Sequence, residues 1–265
     1  METSFFSSIL DNYQWHLSLY VFIGVAVVTL VGNWLFVQHP DLKATQQLNK
    51  DEAEKRLKRS YYMPIQNRSK FWGLLTMLFT FVFVLPFCLT LNANPWWRIP
   101  LDIFVILMVY DFFYYLTHRF MFHDSGSWKG PLKWVHAVHH QQKNPCRLDS
   151  NYLHPLETVI GIGLYGATIA GLAALMGGFH VATVIVTYVA FSAINQHNHD
   201  LMEVDRFPFK YLKYASHMHH IHHQRFTSGN YATISLLYDW LFGTYDSGNG
   251  YGKDKIAATA KSEKV

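Results

Sequence analysis

Two runs of about 20 residues without a charge, at 18–38 and 71–91, constrain this chain more than any other feature. As an α-helix, each is long enough to cross the hydrocarbon core of a bilayer, which takes about 20 residues. A third apolar stretch, 100–116, is rich in aromatics and carries only Asp102 and Asp111 as charges. A fourth (156–178) and a fifth (181–195) are separated at Gly177-Gly178-Phe179-His180. The fifth is short and suits either a span or a re-entrant helix. Only 15% of the residues are charged, against about 25% in soluble domains. The expected fold class is therefore all-α: an integral membrane protein with four or five transmembrane helices.

Lys and Arg set the expected orientation. Of 22, eight lie in 39–70, five in 117–155 and eight in 196–265; the remaining one, Arg98, sits in a short loop between spans two and three. Basic loops stay in the cytoplasm, so these three regions are expected there and the short loops outside. Within the first basic region, KDEAEKRLKR (50–59) reads as an exposed helix with mixed charge. Cys88 falls inside span two and Cys146 on the cytoplasmic side, so no disulfide between them is expected.

Thirteen of the 16 histidines cluster in the two larger cytoplasmic regions or at the span ends facing them. His118 and His123 form an HxxxxH at the end of span three. His136, His139 and His140 form an HxxHH. His197 and His199 form an HxH, and His219, His222 and His223 form a second HxxHH, with His217 and His220 interleaved. On a helix, positions three or four apart share a face, so HxxHH points at least two imidazoles at one place. Imidazole suits iron, zinc, copper and nickel. The HxxxxH and the two HxxHH motifs supply eight ligands, and His197 or His199 a ninth. One metal cannot use nine ligands; two can, with positions left for water or oxygen. A helical, histidine-rich di-metal cap on the cytoplasmic side is expected.

Other classes fit less well. Transporters place polar ligands near the midplane between broken helices, whereas these histidines sit at helix ends and in loops on one side. A zinc hydrolase needs about three protein ligands and a general base. No pattern for nucleic-acid binding is present, and the substrate expected beneath such a cap is a lipid.

Together with the hairpin between them, the boxes resemble those of the fatty acid hydroxylase / sterol desaturase superfamily of membrane di-iron oxygenases. The resemblance extends to His154-Pro155-Leu156-Glu157 before the hairpin, to Gly229-Asn230-Tyr231, and to 238–245. It implies two iron ions, O2 as co-substrate, and hydroxylation of a fatty acyl, sterol or isoprenoid-like lipid; desaturation by the same centre is the alternative, and metal transport a remote one. It implies His118, His123, His136, His139, His140, His219, His222 and His223 as ligands, with His197 and His199 competing for the ninth place. It divides the chain into N-terminal membrane helices with a basic loop (1–98), a hydroxylase-like catalytic domain (99–245) and a polar tail (246–265). No HPGG haem motif is present, so electrons are expected from a separate ferredoxin or cytochrome b5-type donor with its reductase. A bacterial inner membrane and the endoplasmic reticulum both fit.

Four further residues are expected to support the ligands from behind. Asp111 lies one or two turns before His118, and an acid at membrane depth is by default functional. His154 either supports the site or caps the helix that Pro155 begins, while Glu157 favours that helix's dipole. His220 and Asp239 complete the set.

Overall fold

The computed structural model describes residues 12–93 and 95–252. Most of the polar tail expected at 246–265 lies outside the described residues. The architecture is helical. Among the described residues, four helices are long and apolar enough to cross a membrane: α1 (Trp15–Gln38), α3 (Tyr62–Phe79, continued to Phe87), α4 (Arg98–Thr117, continued to Phe122) and α6 (Pro155–Met176). The fifth stretch forms α7 (Val181–His197), which follows α6 after a tight turn. Its 17 residues reach about 26 Å, slightly less than the hydrocarbon thickness.

The chain ends of these helices fall into two sets. At one end, β1 (Leu89–Thr90) pairs in parallel with β2 (Phe179–His180). There Arg98 donates to the carbonyl of Met176 at 2.9 Å, and the Gln14 N–H to that of Pro86 at 3.0 Å. The histidine motifs occupy the opposite end. Local chemistry fixes the hairpin. Pro155 opens α6, where a missing N–H costs nothing, and His154 accepts from the N–H of Leu156 at 3.2 Å. Gly177 ends α6 at φ 89°, a backbone conformation that suits glycine. His180 caps α7 through the N–H of Ala182.

Between the helices lies a core of Leu17, Val21, Phe81, Leu85, Ile106, Tyr110, Tyr165, Ile169, Phe179, Val184 and Phe191. The lipid-facing sides of α1, α3 and α4 leave Trp34, Phe83 and Phe104 exposed. Close packing is visible at Gly24 of α1, where any Cβ would overlap Ile185 of α7.

On the histidine side, α2 (Lys43–Leu57), α5 (Lys133–His136), α8 (Phe209–Gln224) and the short α9 (Leu237–Leu241) complete the molecule. Helix α2 presents most of 50–57 to solvent, as expected, and departs from that surface at one residue. Its Arg56 is buried, pairing with Asp149 and donating to the carbonyl of Asn144. Its Asn49 accepts from the N–H groups of Arg147 and Leu201. These contacts tie α2 to the loops that carry the histidines. Cys88 and Cys146 are both free and buried.

Candidate metal centre

Nine histidines converge in two groups. His118, His123, His136, His140 and His222 form one; His139, His199, His219 and His223 form the other. Within each group the candidate ligand nitrogens lie within 4.8 Å of one another.

The HxxxxH works through an irregular helix end. Residues five apart do not share a face of an α-helix, but α4 ends in a π-helical turn, His118–Phe122. Its wider i→i+5 hydrogen bonding and the extended backbone at His123 bring the two rings to a centroid distance of 5.1 Å. The two HxxHH motifs mirror each other. His136 and His140, four apart, enter the first group, and His139 enters the second. On α8, His219 and His223 enter the second group and His222 the first. Each motif thus serves both groups and fixes their separation.

Backbone carbonyls orient the rings. Nδ1 of His118 lies 2.6 Å from the carbonyl of Tyr231, that of His123 2.8 Å from Phe226, and that of His222 2.8 Å from Gly229. In the second group, Nδ1 of His139 faces the carbonyl of Tyr152 at 3.2 Å, His199 that of Asn195 at 2.8 Å and His223 that of Gln142 at 3.0 Å. His136 instead faces Oε1 of Glu157 at 2.7 Å. A carbonyl can only accept, so each Nδ1 carries the proton and each Nε2 presents a lone pair.

The Nε2 atoms then meet one another. His118 and His136 are 2.9 Å apart, His140 is 3.0 Å from both His136 and His222, and His199 is 3.0 Å from both His139 and His219. His219 and His223 are 3.1 Å apart. Most of these pairs have no proton between them, so they are not hydrogen bonds. The buried Nε2 of His123 has no hydrogen-bond partner among the described residues. For a metal–nitrogen bond of about 2.1 Å, ligands at right angles stand about 3.0 Å apart. The residues therefore fit a metal ion in each group.

Electrostatics agrees. Burial, with the neighbouring imidazoles adding to it, pushes His123, His136, His139, His140, His219 and His223 well below the usual imidazole range. Burial holds His199 and His222 at about 4. These are neutral rings, the form that binds metal.

His197 stands outside both groups. Its Nδ1 donates to Asp200 at 2.8 Å and its ring packs on Phe36. Of the HxH pair, His199 is the one brought to the cluster. His217 is exposed. His220 turns to the carbonyl of Pro145.

Asp111 touches no histidine. It accepts from the N–H groups of Thr233, Ile234 and Ser235 and from the Ser235 hydroxyl, holding the loop after Tyr231. Asp239 acts one step nearer, accepting from the N–H groups of Tyr231 and Ala232 at 2.8 Å. His154 caps α6 beside Trp134 and does not reach the cluster. Glu157, read from the sequence as a helix-dipole residue only, makes the direct contact with His136. An acid in the first turn of a membrane helix, three residues after His154 at the edge of a histidine-rich loop, was the available signal. The carbonyl partners leave no signal in side-chain identity.

A cavity of about 260 Å3 opens beside the cluster. His118, His136, His139, His199 and His219 border it, together with aromatic and apolar residues of α4, α6 and α7 such as Tyr110, Tyr114, Ile162, Tyr188 and Phe191 and with polar ones such as Glu157, Thr158, Ser192, Asn195 and Thr233.

A bundle of membrane-length helices bearing two groups of inward-facing histidines defines a class: the membrane histidine-box proteins. Residues 103–244, more than half of the chain, match the family model described as fatty acid hydroxylase. The chain belongs to that family, in the fatty acid hydroxylase / sterol desaturase superfamily. Very-long-chain aldehyde decarbonylase GL1-11 of Oryza sativa subsp. indica is 32% identical over 153 residues, covering 55% of this chain and 56% of that protein. Methylsterol monooxygenase 1 of Rattus norvegicus is 28% identical over 196 residues, 71% of this chain and 61% of that protein. Methylsterol monooxygenase 2-2 of Arabidopsis thaliana is 30% identical over 157 residues, 56% and 54%. The matches thus cover between about half and three-fifths of these relatives. No solved structure matches the chain.

Proposed function

We propose that this chain is a membrane-bound di-iron oxygenase that hydroxylates a lipid with O2 and externally supplied electrons. The observation that carries this reading is the paired histidine groups opening on a cavity between membrane-length helices. His118, His123, His136, His140 and His222 would hold one iron, and His139, His199, His219 and His223 the other. When bound, the irons supply the redox chemistry that C–H oxidation needs and that side chains lack. The chain's own residues do the rest. The Nδ1 contacts fix the tautomer and direction of seven of the nine rings. The cavity holds the lipid with its reacting carbon near the cluster, and the aromatic walls of α4 and α7 exclude water.

The relatives' names support a lipid substrate: methylsterols for some, very-long-chain aldehydes for others. On this reading the histidine end and its basic loops face the cytoplasm, where a separate ferredoxin or cytochrome b5-type donor delivers electrons. Steering an acidic donor is the natural role of that positive charge.

The test is metal content and product mass. Purified protein should hold about two irons per chain and, with a reductant, O2 and a total lipid extract, give a product heavier by one oxygen. Loss of two hydrogens would assign the site to desaturation instead. Absence of both products from iron-loaded protein would overturn the reading.

A further inference from the structure

Of the nine clustered histidines, His219 alone is not fully buried. It borders the cavity described above and also a second one, of about 200 Å3, whose walls are α8 and the loop 230–236. Ala232 and Thr233 border both. Tyr214, Ala215 and Leu236 line the second cavity as well. Tyr214 and Leu236 recur in a third hollow, a groove of about 410 Å3 completed by Leu237, Trp240 and Tyr245. Shared walls therefore join the exposed Trp240 to His219 in a series of three hollows.

The contacts of α9 fix the depth of the outer groove. The Tyr238 hydroxyl donates to the carbonyl of Met108 at 2.9 Å, and Phe242 stacks on Tyr115 at 5.4 Å. Met108 and Tyr115 precede His118 by ten and three residues on α4. Helix α9 therefore lies about 5 to about 15 Å from His118 toward the middle of the membrane span. Its surface suits that depth. Residues 231–245 carry a single charge, Asp239, and it is buried. Leu237, Trp240, Leu241 and Phe242 are exposed. Such a patch is unfavourable in water and at rest among acyl chains.

We propose that α8 and α9 frame a lateral portal, through which the acyl chain of a membrane lipid passes from the histidine-side leaflet to the metal centre. The inference rests on reading the first cavity as the lipid site, and it adds the route by which a lipid reaches that site. Ala215 from α8 and Leu236 from the facing loop form the neck. Tyr214 and Tyr245, whose hydroxyls stand 2.9 Å apart, border the mouth. A mouth at this depth opens on hydrocarbon, so lipid reaches His219 without crossing water.

Photolabelling tests this without turnover. Metal-free protein in phosphatidylcholine nanodiscs is irradiated with stearic acid bearing a mid-chain diazirine, and the adducts are mapped by peptide mass spectrometry. Wild type should be labelled on 236–242 and on the inner wall at Ile162 and Tyr188. Leu236→Trp plugs the neck and should lose the inner adducts while keeping the outer ones. Ala215→Trp plugs it from the opposite wall and should do the same, so the result does not depend on one variant folding. Inner adducts undiminished in both variants would mean entry elsewhere, and inner adducts missing from wild type would remove the route; each overturns the proposal. Depth has its own readout. A nitroxide on Trp240→Cys should relax faster with O2 than with a water-soluble nickel chelate. The reverse order would put the mouth in water and overturn the portal. Neither measurement needs iron, so failure here leaves the oxygenase reading to its own test of iron content and product mass.

Discussion

Glu157 accepts a hydrogen bond from Nδ1 of His136 at 2.7 Å, joining the first turn of α6 to the first HxxHH. Among the described residues it is the one carboxylate in contact with the nine clustered histidines through Nδ1; the other acceptors are backbone carbonyls. Such partners typically contribute 10–100-fold to metal affinity. Glu157→Ala is expected to lower iron affinity by about that factor. Glu157→Gln keeps an acceptor oxygen and should lose less. Metal titration of both variants checks this; equal and undiminished affinity would remove Glu157 from the site.

His197 and His199 separate cleanly. His199 stands 3.0 Å from both His139 and His219, whereas His197 is engaged by Asp200. On the di-iron reading, His199→Ala should lose about half of the bound iron and nearly all activity, because it removes one of only four nitrogens. His197→Ala should retain its iron. Iron per chain, measured on each purified variant, decides between them.

Much of this was legible in the sequence because it depends on side-chain type and spacing. The uncharged runs at 18–38 and 71–91 require spanning helices, and HxxHH requires imidazoles on one face. The choice of His199 over His197 was not legible. Both are histidines at the end of α7, and the choice depends on where the chain turns at Asn198 and on Asp200 capturing the other ring. Asp111 misled for a related reason. Its depth marked it as functional, but its four hydrogen bonds go to the 233–235 loop, a contact across more than 120 residues. The carbonyls that orient six of the rings were invisible, since every residue carries one.

Gly229 shows how those carbonyls are placed. Its carbonyl faces His222, and that of Tyr231 faces His118. Between them Asn230 adopts φ 64°, a left-handed conformation that asparagine tolerates, and its side chain bonds Met218 and Asp246. A Cβ on Gly229 would overlap the carbonyl of Thr244. Gly229→Ala is therefore expected to cost about 1–3 kcal/mol of stability, as overpacking does, and to loosen iron by displacing the His222 acceptor. Thermal unfolding and iron content read the two effects separately. An unchanged Tm would mean that the loop yields freely.

Acid should act on the metal-free protein in a defined window. Burial holds His199 and His222 at about 4 and others well below their ordinary value, which is about 6.5 in an unfolded chain. Below about pH 6.5 the unfolded chain takes up protons that the folded protein refuses, so stability falls as pH drops through 6.5 toward 4. Above that window these groups contribute no pH dependence. The Tm of metal-free protein should be flat from about pH 8 to about pH 7 and fall steadily below about pH 6.5. Bound metal should be released in the same range, because ligands must be neutral to bind it. A flat Tm throughout would show that these rings are not buried as neutral bases.

The last prediction concerns the side of the membrane. Arg98 is the one Lys or Arg outside the three basic regions, and its guanidinium reaches the carbonyl of Met176 at the end opposite to the histidines. Lys143 is exposed in the loop beside the second HxxHH. Basic loops are retained in the cytoplasm, so a cysteine at exposed Trp96 should react with an impermeant maleimide from outside the cell, and one at Lys143 only after the membrane is opened. Native Cys88 and Cys146 are buried and should label little, leaving the engineered thiols to report. The reverse pattern would put the histidines outside, beyond the reach of a cytoplasmic electron donor. It would overturn the orientation and the donor assignment together, while leaving the histidine geometry untouched.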